Sequence, residues 1–367
     1  MFNSIFLNGD FIFRAFLREN IFMRKNNIKN LTLKDLEQWL NSNEIKPYRA
    51  TQIFKWLYKY HAHSFDVMTD ISLILRQKLA ENFCIRSPAI EKVQLSDDGS
   101  KKYVFCLHDG NFIESVLIPE KNHYTLCVSS QVGCAQGCKF CLTARLGLIR
   151  NLGHDEIVFQ LQYVLRDIHQ KSKVPLTNIV FMGMGEPFAN YDNVKTAIDI
   201  LISSKYGFQF STKKITISTC GIVPQMIKFS QEIPVLLAVS LNATDNATRS
   251  MLMPVNRKYS IEKLLDVCRN YPLRSGRMLT IEYVLIKNIN DGIKNANKLC
   301  QLLRGIRSKI NLIPYNSHSQ SNFERPDTAS IDEFQKTLIK NNYTVIIRQS
   351  KGSDISAACG QLMYDMR

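Results

Sequence analysis

Three cysteines stand in the stretch Cys134-Ala135-Gln136-Gly137-Cys138-Lys139-Phe140-Cys141, a C-x3-C-x2-C spacing, and Cys127 lies seven residues upstream. Soft thiolate ligands at this density favour zinc or an iron–sulfur cluster. A closed structural zinc site takes four protein ligands. A cubane cluster has four irons, usually with one cysteine on each. Three local cysteines would therefore leave one iron open to a substrate or cofactor. The chain has ten cysteines in 367 residues. It is too long for a disulfide-stapled miniprotein, so the tight cluster reads as metal-binding in a reducing compartment.

Other residues suited to chemistry follow strand-like runs. Gly183-Met184-Gly185-Glu186-Pro187 comes after one, Ser218-Thr219-Cys220-Gly221 after the next, then Ser240-Leu241-Asn242, and later Pro314-Tyr315-Asn316. Glycine admits close backbone approach, and Glu186 could accept hydrogen bonds from an amine or a ribose. Cys359 stands between Ala357-Ala358 and Gly360 near the C-terminus, and Glu114 interrupts an apolar strand. On local sequence alone these two read as a packing thiol and a solvent-facing carboxylate. The seven histidines show no metal-ligand pair in helical register.

The elements that must position these residues alternate. Strand-like runs at 124–130, 178–184, 214–219, 235–241, 279–286, 310–315 and 343–348 are separated by helix-like segments. That pattern predicts a parallel sheet with right-handed crossovers. Six or so units fit an α/β fold with a partial (β/α)6 barrel, whose chemistry lies at the C-terminal strand ends. Residues 23–95 are expected to form a small helical domain, with a capping box at Thr32–Asp35 and apolar stripes at Ile53, Trp56, Leu57 and Tyr60, then at Ile71, Leu75 and Leu79. Residues 96–126 read as a β-hairpin linker turning at Asp109-Gly110. The barrel is expected over 127–349 and a C-terminal segment carrying Cys359 over 350–367. Met23 looks like a true start, which makes residues 1–22 a non-native or disordered extension.

Composition is that of a globular chain, 45% hydrophobic and 22% charged. The surplus of +15 suggests a polyanionic partner. Charged and polar residues break the apolar N-terminus, so neither a signal peptide nor a membrane span is expected. A cytoplasmic location follows.

Taken together, these residues resemble the radical S-adenosylmethionine (SAM) enzymes, whose signature is C-x3-C-x2-C after a first barrel strand and a Gly-Glu-Pro turn after the second. From about residue 30 onward the chain resembles the RlmN family, in the segments 127–134, 181–187, 310–316 and 357–362. The resemblance implies methylation of carbon 2 of adenosine in 23S rRNA and in tRNA. It implies a [4Fe-4S] cluster on Cys134, Cys138 and Cys141, with SAM against Gly185, Glu186, Ser218, Ser240, Leu241, Asn242 and Asn316. Two SAM molecules are used per turnover. Cys359 takes a methyl from one by displacement. The second is cleaved to a 5′-deoxyadenosyl radical that activates the S-methyl group. Cys127 then attacks the Cys359 sulfur, forming a transient disulfide that frees the product. Glu114 matches the family's proton acceptor. A radical route suits a carbon that is no nucleophile. The partners implied are 23S rRNA, tRNA and an electron donor such as flavodoxin, with no membrane and a monomeric enzyme.

The chain departs from the family at Asn242, where histidine is expected. Asparagine keeps a hydrogen bond but takes no proton. Pro187 favours carbon 2 over carbon 8, because the Cfr-type enzymes typically carry alanine there. A reading of another class is a four-cysteine zinc site in a non-catalytic RNA-binding module. Gly-Glu-Pro and Cys359 would have no purpose in it.

Overall fold

The computed structural model describes residues 25–172, 174–318 and 320–363, and the expected extension at 1–22 lies outside them. The described chain divides into two compact units, residues 25–87 with 203–209, and residues 88–202 with 210–363.

The first unit is helical. Helix α1 (Leu33–Ser42) opens on the expected capping box. The Asp35 N–H donates to Thr32 Oγ1 at 3.2 Å, and the Thr32 N–H donates to Asp35 Oδ2 at 3.0 Å. Helix α2 (Arg49–Phe54) runs on into a π-helical turn at Lys55–Lys59. A π turn holds an extra residue, which rotates the face that follows it. Ile53 and Leu57 are buried as the stripe predicts, but Tyr58 takes the core place and Tyr60 is exposed. Helix α3 (Leu73–Asn82) buries Leu75 and Leu79.

The second unit is built on a sheet of ten strands: β1 (Ala89–Leu95), β2 (Lys101–Cys106), β3 (Phe112–Pro119), β4 (Tyr124–Cys127), β5 (Leu176–Phe181), β6 (Ile215–Thr219), β7 (Leu236–Ser240), β8 (Leu279–Leu285), β9 (Ser308–Pro314) and β10 (Val345–Ile347). They lie side by side in chain order. Strands β1 to β4 are antiparallel, and every pair from β4 to β10 is parallel. Each parallel pair needs a crossover. These contain α4 (His154–Lys171), α5 (Tyr191–Ile202), α6 (Val223–Glu232), α7 (Asn246–Leu252) with α8 (Ile261–Arg269), α9 (Ile293–Leu302) and α10 (Thr328–Lys340). The barrel strands alternate, with Ile215, Ile217, Leu279 and Ile281 buried and Thr216, Thr280 and Asn311 on the face that lines a cavity. Edge strand β1 is largely exposed and carries Glu91 and Lys92, which discourage edge-to-edge pairing.

Two expectations need correction. The first unit ends at Ser87 rather than residue 95, since Ala89–Leu95 joins the large sheet. Residues 96–126 are not a linker. Their hairpin, with Gly110 at φ +80°, supplies β2 and β3, and β3 pairs directly with β4.

Candidate active site

The cysteine loop grows from a short antiparallel ribbon, Gln131–Gly133 against Leu148–Asn151. The Cys134 N–H donates to Gly147 O at 2.7 Å. Gly133 has φ +73°, and a Cβ there would sit 1.8 Å from the same carbonyl oxygen, so only glycine fits. The loop is tied further along by Lys139 N–H to Leu252 O at 2.9 Å. Cys134, Cys138 and Cys141 all line one cavity, partly open to solvent. Burial pushes the Cys134 thiol up to about 12 and the Cys138 and Cys141 thiols upward too. Bare, these groups stay protonated, so the charge of bound metal is what would make them thiolates. Among the described residues no three His, Cys, Asp or Glu side chains converge on a single-ion position. A cubane asks for one thiolate per iron instead. The donor set fits a [4Fe-4S] cluster.

The turn after β5 forms the adjacent wall. Gly185 has φ +98°, and a Cβ there would lie 2.5 Å from Gln131 Cβ. Glu186 is buried, and the protein occupies its carboxylate. Thr219 Oγ1 donates to Oε1 and the Cys220 N–H to Oε2, each at 2.8 Å, while the Phe188 N–H donates to Oε1 at 3.1 Å. Burial raises this carboxyl, and those donors hold it down. Glu186 therefore fastens the turn to β6, with little acceptor capacity left for a ligand.

Ser218, Ser240, Asn242 and Asn316 reach the same cavity from three strand ends. Asn242 sits at φ +59°, a conformation asparagine tolerates better than most residues. Its Oδ1 accepts from the Val284 N–H at 2.8 Å, and its Nδ2 points at Met253 Sδ at 3.2 Å. The carboxamide joins β8 to the end of α7. Leu241 is buried behind the wall, where its N–H donates to Glu282 O at 3.0 Å.

Cys359 lies on the same wall, carried by a heavily anchored segment. Asn316 Nδ2 donates to Cys359 O at 3.1 Å, the Leu142 N–H to Gly360 O at 2.7 Å, and Thr143 Oγ1 to Leu362 O at 2.6 Å. Upstream, the Gly352 N–H donates to Asp98 Oδ2 at 2.8 Å and Ser96 Oγ to Asp354 Oδ1 at 2.6 Å. The β1–β2 turn thus clasps the segment that carries the cysteine.

Cys127 and Glu114 are brought near without lining the cavity. The Cys127 thiol is buried at the end of β4, and burial followed by the Cys359 sulfur pushes it up to about 12. Every described cysteine is a free thiol. Glu114 is fully buried on β3, and burial raises its carboxyl. Lys102 Nζ pairs with Glu114 Oε1 at 2.9 Å, and its charge opposes the effect of burial on the carboxyl.

Three functional residues escaped the sequence reading. Glu282 on β8 is buried and accepts from Ser218 Oγ at 2.5 Å and Ser240 Oγ at 3.1 Å. It was legible only as a lone carboxylate in an apolar strand. Arg348 follows β10 on the cavity wall, and its guanidinium is held charged chiefly by the Cys359 sulfur. The rim rule that found Asn316 would have found it. Arg249 is fully buried and donates to Cys220 O, Ser240 O and Leu241 O at 2.8, 3.1 and 3.0 Å. Nothing in its local sequence signals this.

A parallel β/α sheet with three cysteines and a glycine-rich turn at one rim defines a radical SAM enzyme, which binds a [4Fe-4S] cluster and SAM. Family models agree: residues 128–300 match the radical SAM superfamily, and residues 26–85 match the ribosomal RNA large subunit methyltransferase N-terminal domain. The chain is 54% identical over 340 residues to the dual-specificity RNA methyltransferase RlmN of Desulfosudis oleivorans, covering 93% of this chain and 91% of that one. It is 50% identical to the RlmN of Geotalea uraniireducens, covering 93% and 97%. The crystal structure of a radical SAM methyltransferase from Sphaerobacter thermophilus superposes with a TM-score of 0.84 at 41% identity, covering 92% of this chain and 98% of that one. The chain belongs to the RlmN family.

Proposed function

We infer that the protein methylates carbon 2 of adenosine in RNA, with 23S rRNA and tRNA as substrates. The observation that carries this reading is one cavity walled by Cys134, Cys138, Cys141, the Gly185 turn, the serine pair and Cys359. A cluster and a methyl-accepting sulfur therefore share one chamber. The cluster, when bound on the three cysteines, supplies the electron for reductive cleavage of SAM.

The chain's own residues do the rest. Gly185 lets the backbone approach the ligand, and Asn316 fixes the Cys359 carbonyl so that its sulfur faces the chamber. Cys359 accepts the methyl group. Arg348 places a positive charge on the wall beside that sulfur. Cys127 resolves the product through a transient disulfide with Cys359. Its raised thiol stays protonated at neutral pH, which suppresses attack before RNA is in place. Glu114 is the proton acceptor, with Lys102 as its counter-ion.

The +15 surplus supports an RNA partner whose phosphates dominate affinity, with the target base splayed from its stack. The N-terminal unit is assigned to RNA binding. A flavodoxin-type donor, a monomeric state and a cytoplasmic location complete the reading. No described helix is long and apolar enough to cross a membrane. The test is mass spectrometry of RNA digested after reaction, against carbon-2 and carbon-8 methyladenosine standards. Carbon-8 product would move the enzyme to the Cfr type. A colourless protein holding one zinc after anaerobic purification would overturn the whole assignment.

A further inference from the structure

We propose that Glu282 sets the hydrogen-bond polarity of the SAM pocket, making Ser218 and Ser240 acceptors only and so selecting a hydrogen-bearing group of the ligand at that wall. The inference rests on the reading of this cavity as the SAM site.

Three adjacent strands bring the residues together. Ser218 is on β6, Ser240 ends β7, and Glu282 is paired in register with Ser240 on β8. All three line the cavity. Both serine hydroxyls reach the same carboxylate oxygen, Oε2, at 2.5 and 3.1 Å. An ionised carboxylate only accepts, so both hydroxyl hydrogens are committed to it. The Arg348 guanidinium lines the same cavity. Each serine oxygen then offers only lone pairs to the cavity. A hydroxyl or ammonium group of the ligand gains two acceptors there. A carboxylate or carbonyl group would meet acceptors with an acceptor and lose its water for nothing. Without Glu282 either hydroxyl could rotate and donate, and the wall would lose this preference. The groups of SAM that satisfy the wall are the ribose hydroxyls, the α-ammonium and the adenine 6-amino group. Its carboxylate and adenine ring acceptors do not.

Equilibrium dialysis on the anaerobically reconstituted, cluster-loaded protein tests the idea, with SAM, 2′-deoxy-SAM, 3′-deoxy-SAM, the desamino analogue and the purine analogue lacking the 6-amino group as probes. The wild type should bind at least one donor-lacking analogue about tenfold more weakly than SAM, the cost of leaving a buried acceptor unmet. That analogue identifies the group at the wall. Glu282→Leu should bring that ratio below about threefold, since the freed hydroxyls can serve either polarity. Glu282→Gln keeps an oxygen at the same place and should restore the discrimination. If Glu282→Leu is unstable by thermal melting, Glu282→Asp, too short to reach both serines, replaces it with the same expectation. Unchanged discrimination in the Leu or Asp variant overturns the role of Glu282. Loss of discrimination in the Gln variant to the same degree shows that charge alone acts, and overturns it too. A wild type that binds SAM but discriminates against none of the analogues also overturns it. A wild type that binds no SAM would sink the pocket reading itself.

Discussion

Arg249→Lys keeps a cation on α7 and isolates what the guanidinium fork contributes. Arg249 is 0% exposed and makes five hydrogen bonds: Nε to Leu241 O, Nη1 to Asn256 Oδ1 and Tyr259 O, and Nη2 to Cys220 O and Ser240 O. A lysine ammonium has three donors, so at least two of these acceptors are left unmet. Each buried unmet acceptor costs about 1–3 kcal/mol, giving roughly 2–6 kcal/mol for the substitution. Against a typical total of about 5–15 kcal/mol, that is a large fraction. The loss should fall on the rim, because three of the acceptors are the carbonyls at the ends of β6 and β7. The assay is urea denaturation of the metal-free protein, with SAM affinity of the loaded protein measured in parallel. The midpoint should fall, and SAM binding should weaken under conditions where the variant is still folded. An unchanged midpoint would refute the account of Arg249 as the tie between the strand ends. A lowered midpoint with unchanged SAM affinity would show that it stabilises the fold without shaping the rim.

Gly185→Ala should abolish SAM binding while leaving the cysteines able to take up iron. Its Cβ would stand 2.5 Å from Gln131 at φ +98°, and an iron count beside a binding isotherm checks this. Cys127→Ala should accumulate a covalent protein–RNA adduct through Cys359, seen as a shifted band on a denaturing gel; normal turnover without adduct contradicts the assigned role. Lys102→Met removes the charge that opposes the burial-raised pKa of Glu114, so that pKa rises further. A base must be deprotonated to act, so the acid limb of the pH–rate profile should move to higher pH, and an unmoved limb excludes Glu114 as the base. Asp98→Ala cuts the bond to the Gly352 N–H and should slow methylation of Cys359 several-fold, read by intact-protein mass before RNA is added. Burial pushes the Asp98 carboxyl up, but its hydrogen-bond donors outweigh that and bring it down to about 2. Its stabilising contribution is therefore present above the ordinary carboxylate range and is lost as pH falls toward 2.

The barrel was legible because strand-like runs alternate with helix-like segments, and because the residues just past such runs converge on one rim. That rule placed Gly185, Ser218, Ser240 and Asn316 on a common cavity. What it could not show was how the polar side chains spend their hydrogen bonds. Glu186 reads in the sequence as a free carboxylate for a ligand, yet its oxygens are occupied by Thr219, Cys220 and Phe188. Asn242 reads as a weakened histidine, yet its side chain bridges Val284 and Met253. Such bonds join residues far apart in sequence and leave no periodicity. The hairpin at 96–126 was mistaken for a linker because β-strand propensity cannot tell a strand that extends a sheet from one that stands alone. The π turn at Lys55–Lys59 hid the exposure of Tyr60 in the same way, since a helical period assumes no insertion.

Glu186, Glu282 and Arg249 share a pattern: each is buried, and each is hydrogen-bonded within the strand ends. A buried charge left free to meet a ligand would have to give up water in the empty state and reorganise when the ligand arrives. Spending these charges internally costs nothing at binding and fixes the strand ends beforehand. The groups facing the chamber include backbone at Gly185, the serine hydroxyls, Asn316, Arg348 and the two sulfur-bearing elements, the cysteine loop and the Cys359 segment. Those two elements are joined to each other by Leu142 N–H to Gly360 O and Thr143 Oγ1 to Leu362 O. The segment that carries Cys359 is therefore tied to the cysteine loop directly. This is the preorganisation that a reaction between two bound groups requires, and it locates the determinants of rate in the rim's internal hydrogen bonds as much as in the residues that touch the reacting atoms.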